Sequence, residues 1–272
     1  MSSRRCWSTL GLSAAFAVAA AAPAAAQNQS PRCPNETQAP ISGTAQSENL
    51  NGTAAADRIL ALGGDDDVSS LQGNDCVLGG DGFDTIQGAQ GTDTIFGEGG
   101  ADDLSGGSGN DRIYGGADFD FLVGGIGDDR LFGEDGPDDL SGSNGDDTIE
   151  GGDGIDFVSG GLGSDRMDGG DDGDVIEGGL GRDRIEGGDG NDRIAGGQDG
   201  DRLSGGDGND LIDGGDGRNT YSGGDGRDQI DAANGSTEQI NCGSGRDIVR
   251  ADATDRLRGC ERVFRLRLER KG

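Results

Sequence analysis

Aspartate recurs at every ninth residue from Asp57 to Asp228, and Asn219 is the single interruption. A column of carboxylates with that regularity is suited to holding cations. The chain has no His, and no Cys falls in the glycine-rich stretches beside these acids. The donors on offer are therefore carboxylate oxygens and main-chain carbonyls. An all-oxygen set suits calcium, whereas zinc or copper would want nitrogen or sulfur, and magnesium prefers to keep its water shell.

The elements that must position these acids are written in the same nine-residue grammar. Gly178–Ala195 reads GGLGRDRIE followed by GGDGNDRIA: two glycines, any residue, glycine, any residue, aspartate, any residue, one apolar residue, any residue. Laid outward without a gap, this phrase gives twenty consecutive units from Gly52 to Asp231, and its eighth position is uncharged in every one, from Ile59 to Ile230. The last three positions of a unit suit a very short strand with its middle side chain facing one way. The glycine-dense remainder suits a sharp turn through positive φ, which Gly adopts freely and Asn or Asp less readily. Strand, turn, strand, turn closes one coil in two units, and coils stack at strand spacing, about 4.8 Å, into two parallel sheets. Aspartates eighteen residues apart, such as Asp174, Asp192 and Asp210, then lie above one another on one edge. Like charges at that spacing repel unless something sits between them. The expected fold is all-β: a parallel solenoid of about ten such coils, with capping segments at both ends.

The phrase GGxGxDxUx, with U a large apolar residue, resembles the calcium-binding repeat of the RTX (repeats-in-toxin, haemolysin-type) family, whose fold is a parallel β-roll. The resemblance covers about two thirds of the chain. It implies a β-roll that binds multiple calcium ions, with acidic ligands at Asp84, Asp93, Asp102, Asp111, Asp120, Asp129, Asp138, Asp147, Asp156, Asp165, Asp174, Asp183, Asp192, Asp201, Asp210 and Asp228 and turn carbonyls as the other ligands. Asp118, Asp172 and Asp199 replace the fourth-position glycine, and Asn219 removes a charge, which weakens the pattern there.

Composition fits a stacked repeat better than an ordinary globular domain. Of 272 residues 58 are glycine, only 4% are aromatic, and the formal charge is −30. Such a chain buries a core only if its units stack. A surface this acidic repels nucleic acid and anionic lipid. Arg4 and Arg5, an apolar run from Leu10 through Ala22 and the small residues Ala24–Ala26 read as a secretory signal peptide over 1–26, with no membrane-spanning segment in the mature chain. Residues 27–51 read as an irregular capping segment, 52–231 as the repeat, and 232–272 as degenerate repeats with a closing cap. In that last stretch one extra residue brings Asp247 and Val249 back into register, and the next unit is one short before Asp255 and Leu257. Four cysteines follow the signal segment, and sequence proximity favours pairing Cys33 with Cys76 and Cys242 with Cys260, one bridge at each end.

On one outer face the ninth position reads Leu60, Leu78, Phe96, Tyr114, Phe132, and then turns acidic at Glu150, Asp168 and Glu186. Arg112, Arg130, Arg166, Arg184 and Arg202 run beside this row, as a cross-strand charge ladder would. The Leu60 and Leu78 end is expected to pack under the Cys33 segment, and Phe96, Tyr114 and Phe132 are a candidate surface for a protein partner or self-association. Without His, the Ser-His-Asp and histidine-metal hydrolase constellations are absent. Scattered Thr85, Thr94, Thr148 and Thr220 make no flat Thr row for binding ice. The reading is a secreted, non-enzymatic calcium-binding protein with a structural, adhesive or interaction role. The alternative is a non-catalytic module or relative of a secreted toxin or hydrolase that acts with a partner.

Overall fold

The computed structural model describes Cys33 and residues 39–266. The segment read as a signal peptide lies outside the described residues, as does the end of the closing cap. Every described element is a strand, and the strands alternate between two thirteen-stranded sheets in which all pairings are parallel. Register advances by eighteen residues through the body of the stack: Leu131 pairs with Ile149 and Ile149 with Met167 in the first sheet, Leu140 with Val158 and Val158 with Ile176 in the second.

The eighth-position side chains from Ile59 to Ile230 are all 2% exposed or less and form one continuous core between the sheets. Most strands are longer than the three residues the pattern suggests. Thr148–Asp153, for example, continues through Gly151 and Gly152, because the glycine pair stays in the ladder with Gly152 opposite Gly170. The stack also exceeds the expected ten coils. Ile41–Ser42 and Asn49–Asn51 already pair with the strands eighteen residues on, placing Ile41 beside Ile59 and Leu50 beside Val68. These two early strands keep the apolar slot but lack the glycine pair. At the far end Tyr221 pairs with Ile240, nineteen residues on, and Ile240 with Leu257, seventeen on, so one added and one missing residue restore the register.

Three of the glycine positions have distinct physical causes. The second and fourth sit at positive φ, as at Gly179 (φ 103°) and Gly181 (φ 131°), and a Cβ at Gly181 would overlap the carbonyl of Gly163 one coil back. Asp118, Asp172 and Asp199 hold the fourth position at φ 78°, 73° and 76°, the left-handed region that Asp tolerates better than most residues. The first glycine has ordinary φ, and its requirement comes from the site described below.

Both expected disulfides are present, Cys33–Cys76 and Cys242–Cys260. Cys33 packs with Cys76, Leu78, Phe96 and Tyr114 as a small cluster on the outside of the first sheet. Phe96, Tyr114 and Phe132 stack face to face, with ring centroids 4.9 and 4.8 Å apart. Phe96 is only 6% exposed. It therefore belongs to the cover over the Cys33 bridge, and as a partner-binding ring it is already occupied. The charge ladder is also less than expected: among the described residues this face carries one ion pair, Arg184–Glu186 at 3.5 Å, within a single strand and exposed. Across strands the register sets Arg166 beside Arg184 and Arg184 beside Arg202. No described helix is long and apolar enough to cross a membrane.

Candidate metal centre

The acidic positions form two columns, one along each edge of the stack where the chain passes between sheets. The turns entering the first sheet contribute Asp93, Asp111, Asp129, Asp147, Asp165, Asp183 and Asp201. The turns entering the second contribute Asp84, Asp102, Asp120, Asp138, Asp156, Asp174, Asp192, Asp210 and Asp228. Each of these side chains is 3% exposed or less. Sequence pattern places them on an edge; the structure turns them inward.

Within a column the two carboxylate oxygens do different things. Oδ1 of Asp129 accepts a hydrogen bond from the Asp111 N–H one coil back (2.8 Å), and Oδ1 of Asp147 accepts from the Asp129 N–H (2.8 Å). The same bond repeats along both columns, as at Asp102–Asp120 and Asp120–Asp138, each 2.8 Å. Oδ2 of every expected ligand is buried and has no hydrogen-bond partner. A buried acceptor left alone is destabilising by about 1–3 kcal/mol, and more when charged, so a run of them calls for a common solution.

The first glycine of each unit makes room for that solution. A Cβ built on Gly124 would lie 2.5 Å from Asp129 Oδ2 and 2.9 Å from the Gly142 carbonyl oxygen; on Gly106 the corresponding distances are 2.5 Å to Asp111 Oδ2 and 2.8 Å to Gly124 O. Carboxylate and carbonyl oxygens thus converge on a space that only a missing side chain leaves open. Among the described residues no three His, Cys, Asp or Glu side chains converge, so acids alone make no site and carbonyl oxygens must complete one. An oxygen-only, carboxylate-plus-carbonyl set with negative charge fits calcium.

Without a cation, the burial is expressed as a tendency to hold protons. Desolvation pushes Asp120 up to about 8, with the Asp102 N–H opposing and the Asp102 and Asp138 carboxylates adding to it. Burial likewise pushes Asp93, Asp102, Asp129, Asp165 and Asp174 up to about 7, and Asp138, Asp147, Asp201, Asp210 and Asp228 up to about 6. Each carboxyl stands where a charge is unwelcome unless an opposite charge arrives with it.

Four further acids share this environment and were not among the expected ligands. Asp66, Asp75, Asp247 and Glu238 are buried, and each has one unpartnered carboxylate oxygen. Asp66 and Asp75 keep the nine-residue slot in units whose glycines have degenerated, and Asp247 returns to register after the extra residue. Glu238 carries a subtler signal: Glu238-Gln239-Ile240 repeats the acid, any residue, apolar order with Glu for Asp.

A family model, RTX calcium-binding nonapeptide repeat (4 copies), matches residues 42–75, 78–113, 105–140, 141–176, 168–203 and 196–230. No curated protein sequence matches the chain. Among solved structures, it is similar to the X-ray crystal structure of a hyperactive, Ca2+-dependent, beta-helical antifreeze protein from an Antarctic bacterium. That likeness has 20% identity over 84% of this chain and 82% of that one, with a TM-score of 0.34.

Proposed function

The chain belongs to the family of RTX calcium-binding nonapeptide repeats, and from that premise we propose that its two aspartate columns hold calcium ions between successive coils, in an exported protein with a structural, adhesive or interaction role. The ligands in this reading are the Oδ2 atoms of Asp84, Asp93, Asp102, Asp111, Asp120, Asp129, Asp138, Asp147, Asp156, Asp165, Asp174, Asp183, Asp192, Asp201, Asp210 and Asp228, joined by first-position glycine carbonyls. The single observation that carries the reading is the buried, unpartnered Oδ2 repeated at each of these residues. Calcium supplies positive charge and accepts about six to eight oxygen ligands, which matches donors that neighbouring coils can share.

The protein's own contribution is to present those oxygens in a fixed place. The Oδ1 hydrogen bond from one coil to the next orients each carboxylate, and glycine leaves the space in front of Oδ2 open. No unit completes this arrangement by itself, so binding and stacking are one event and metal affinity becomes folding free energy. Export by the leading segment 1–26 would deliver the chain to an oxidising compartment, which suits its two disulfides. With its acids committed to metal, the proposed role is non-catalytic.

The test is bound calcium and far-UV circular dichroism on the full chain, comparing Asp129→Asn with Asp139→Asn, whose residue lies at a strand start and is only half-buried. Asp129→Asn should bind at least one calcium fewer per chain, and Asp139→Asn should match the parent. Equal calcium content in all three proteins would refute Asp129 as a ligand.

A further inference from the structure

One level of the first column is built differently. At Asn219 the side chain keeps half of the aspartate pattern: its Oδ1 accepts from the Asp201 N–H at 2.7 Å, which fixes the other end of the amide as the NH2 group. That Nδ2 donates to the carbonyl oxygen of Gly214 at 2.9 Å and lies 3.4 Å from the Tyr221 hydroxyl. The Gly214 carbonyl is also the oxygen that faces Asp201. A Cβ on Gly196 would lie 2.6 Å from Asp201 Oδ2 and 2.8 Å from Gly214 O, the same convergence of carboxylate and carbonyl found elsewhere in the column. Here, however, one of the two oxygens already has a donor.

Tyr221 completes the difference. It fills the inward slot that Ile, Leu, Val or Met fills in every other unit between Ile59 and Ile230, and it is 2% exposed. Its hydroxyl reaches across the core and presses against Gly214. Around that contact the opposite strand is cut to Leu211–Asp213, with three paired residues on each side, whereas the preceding pair of strands has five. The added bulk, the added hydroxyl and the amide-for-acid exchange thus meet at one level of the stack.

The geometry points to Asn219 and Tyr221 as a metal-independent rung: the Asn219 amide gives the Gly214 carbonyl the positive partner that a cation gives its equivalents, so calcium does not bind between the Asp201 and Asn219 levels. This rests on the proposed calcium ligands of the columns. It divides the two edges unequally. The edge entering the second sheet keeps aspartate from Asp66 to Asp247, while the edge entering the first carries it only from Asp57 to Asp201 before the neutral rung, Glu238 and Asp255. At this one level the first edge is consequently held by the hydrogen bonds of the Asn219 amide, where an ion holds the coils before it.

The test measures calcium per chain by equilibrium dialysis on the full-length parent, Asn219→Asp, the double variant Asn219→Asp with Tyr221→Ile, and Asp129→Asn. The double variant restores both consensus residues, so it guards against Tyr221 blocking a site that Asn219→Asp alone would create. The expected result is at least one additional calcium for the double variant and at least one fewer for Asp129→Asn. If the double variant binds no more than the parent while Asp129→Asn binds less, the rung is already metal-bearing and the inference falls. If Asp129→Asn matches the parent, the ligand reading fails instead, and the rung is judged by nuclear magnetic resonance of the Asn219 side-chain amide in the calcium-treated parent. Amide protons protected from exchange support it; protons exchanging as fast as those of the exposed Asn74 overturn it.

Discussion

Protons and calcium should be interchangeable partners for the aspartate columns, which predicts an inverted pH response in chelator. In the metal-free fold Asp129 is pushed by burial up to about 7, against an ordinary 3.8 in the open chain. A group whose folded pKa is raised contributes stability that is fully present below its unfolded pKa and is lost as pH rises through the folded one. At 1.36 kcal/mol per pKa unit, the gap at Asp129 makes the charged, metal-free state roughly 4 kcal/mol less stable than the protonated one. Asp120, at about 8, stands at the upper end, and the groups at about 6 stand at the lower. Folded domains typically have only about 5–15 kcal/mol in total, so a few such groups are enough to unfold the stack. A protonated Oδ2 also becomes a donor beside the neighbouring glycine carbonyl, replacing repulsion with a hydrogen bond.

With chelator present, far-UV circular dichroism should therefore show β-structure near pH 5, lost across roughly pH 6 to 8 in a broad transition, since neighbouring carboxyls titrate together. Calcium added near pH 8 should restore the signal, and acidification should release calcium as protons take its place. A chelated chain with the same β-signal at about pH 8 as at about pH 5 would refute the reasoning, because the buried carboxylates would then be tolerating charge without any partner.

Gly124→Ala places a methyl beside Asp129 Oδ2 and the Gly142 carbonyl at ordinary φ; it should reduce bound calcium by at least one per chain, and unchanged calcium content would show that the space is not used. Removing the Cys242–Cys260 bridge by substituting both residues with Ser releases a loop of 18 residues and should lower the stability of the last coils by about 3 kcal/mol, read as earlier loss of hydrogen-exchange protection around Ile240 and Val249 than around Ile149.

Much of this was legible because two columns of residues carry the fold. The uncharged eighth position, Ile59 to Ile230, became the buried core without exception, and the aspartate slot became the two edges. The coil count was less legible, since Ile41 and Leu50 preserve the core position without the glycines that mark a unit. Three features emerge only in the folded chain. The division of labour between Oδ1 and Oδ2 depends on an N–H eighteen residues away, which no local pattern encodes. The ordinary φ of Gly124 shows that its glycine is required by contact, whereas Gly125 (φ 112°) is required by backbone shape; adjacent letters are identical for different reasons. The fate of Phe96 likewise depended on Cys33, sixty-three residues earlier, packing in one cluster with it.

The two disulfides have a mechanical consequence. A stack whose units touch only their neighbours is weakest at its ends, where a coil can peel away after losing contacts on a single side. Cys242–Cys260 ties one terminal turn to the next across 18 residues, and Cys33–Cys76 ties the opposite end across 43. Tension drawn through Cys33 passes by its bridge to Cys76 and bypasses Ile41–Ser42 and Asn49–Asn51, whereas the last strand, Arg262–Leu266, lies beyond Cys260 and is held by its pairing with Ile248–Asp252. Under load the stack should release that last strand first, hold at the two bridges, and then rupture in the unstapled middle.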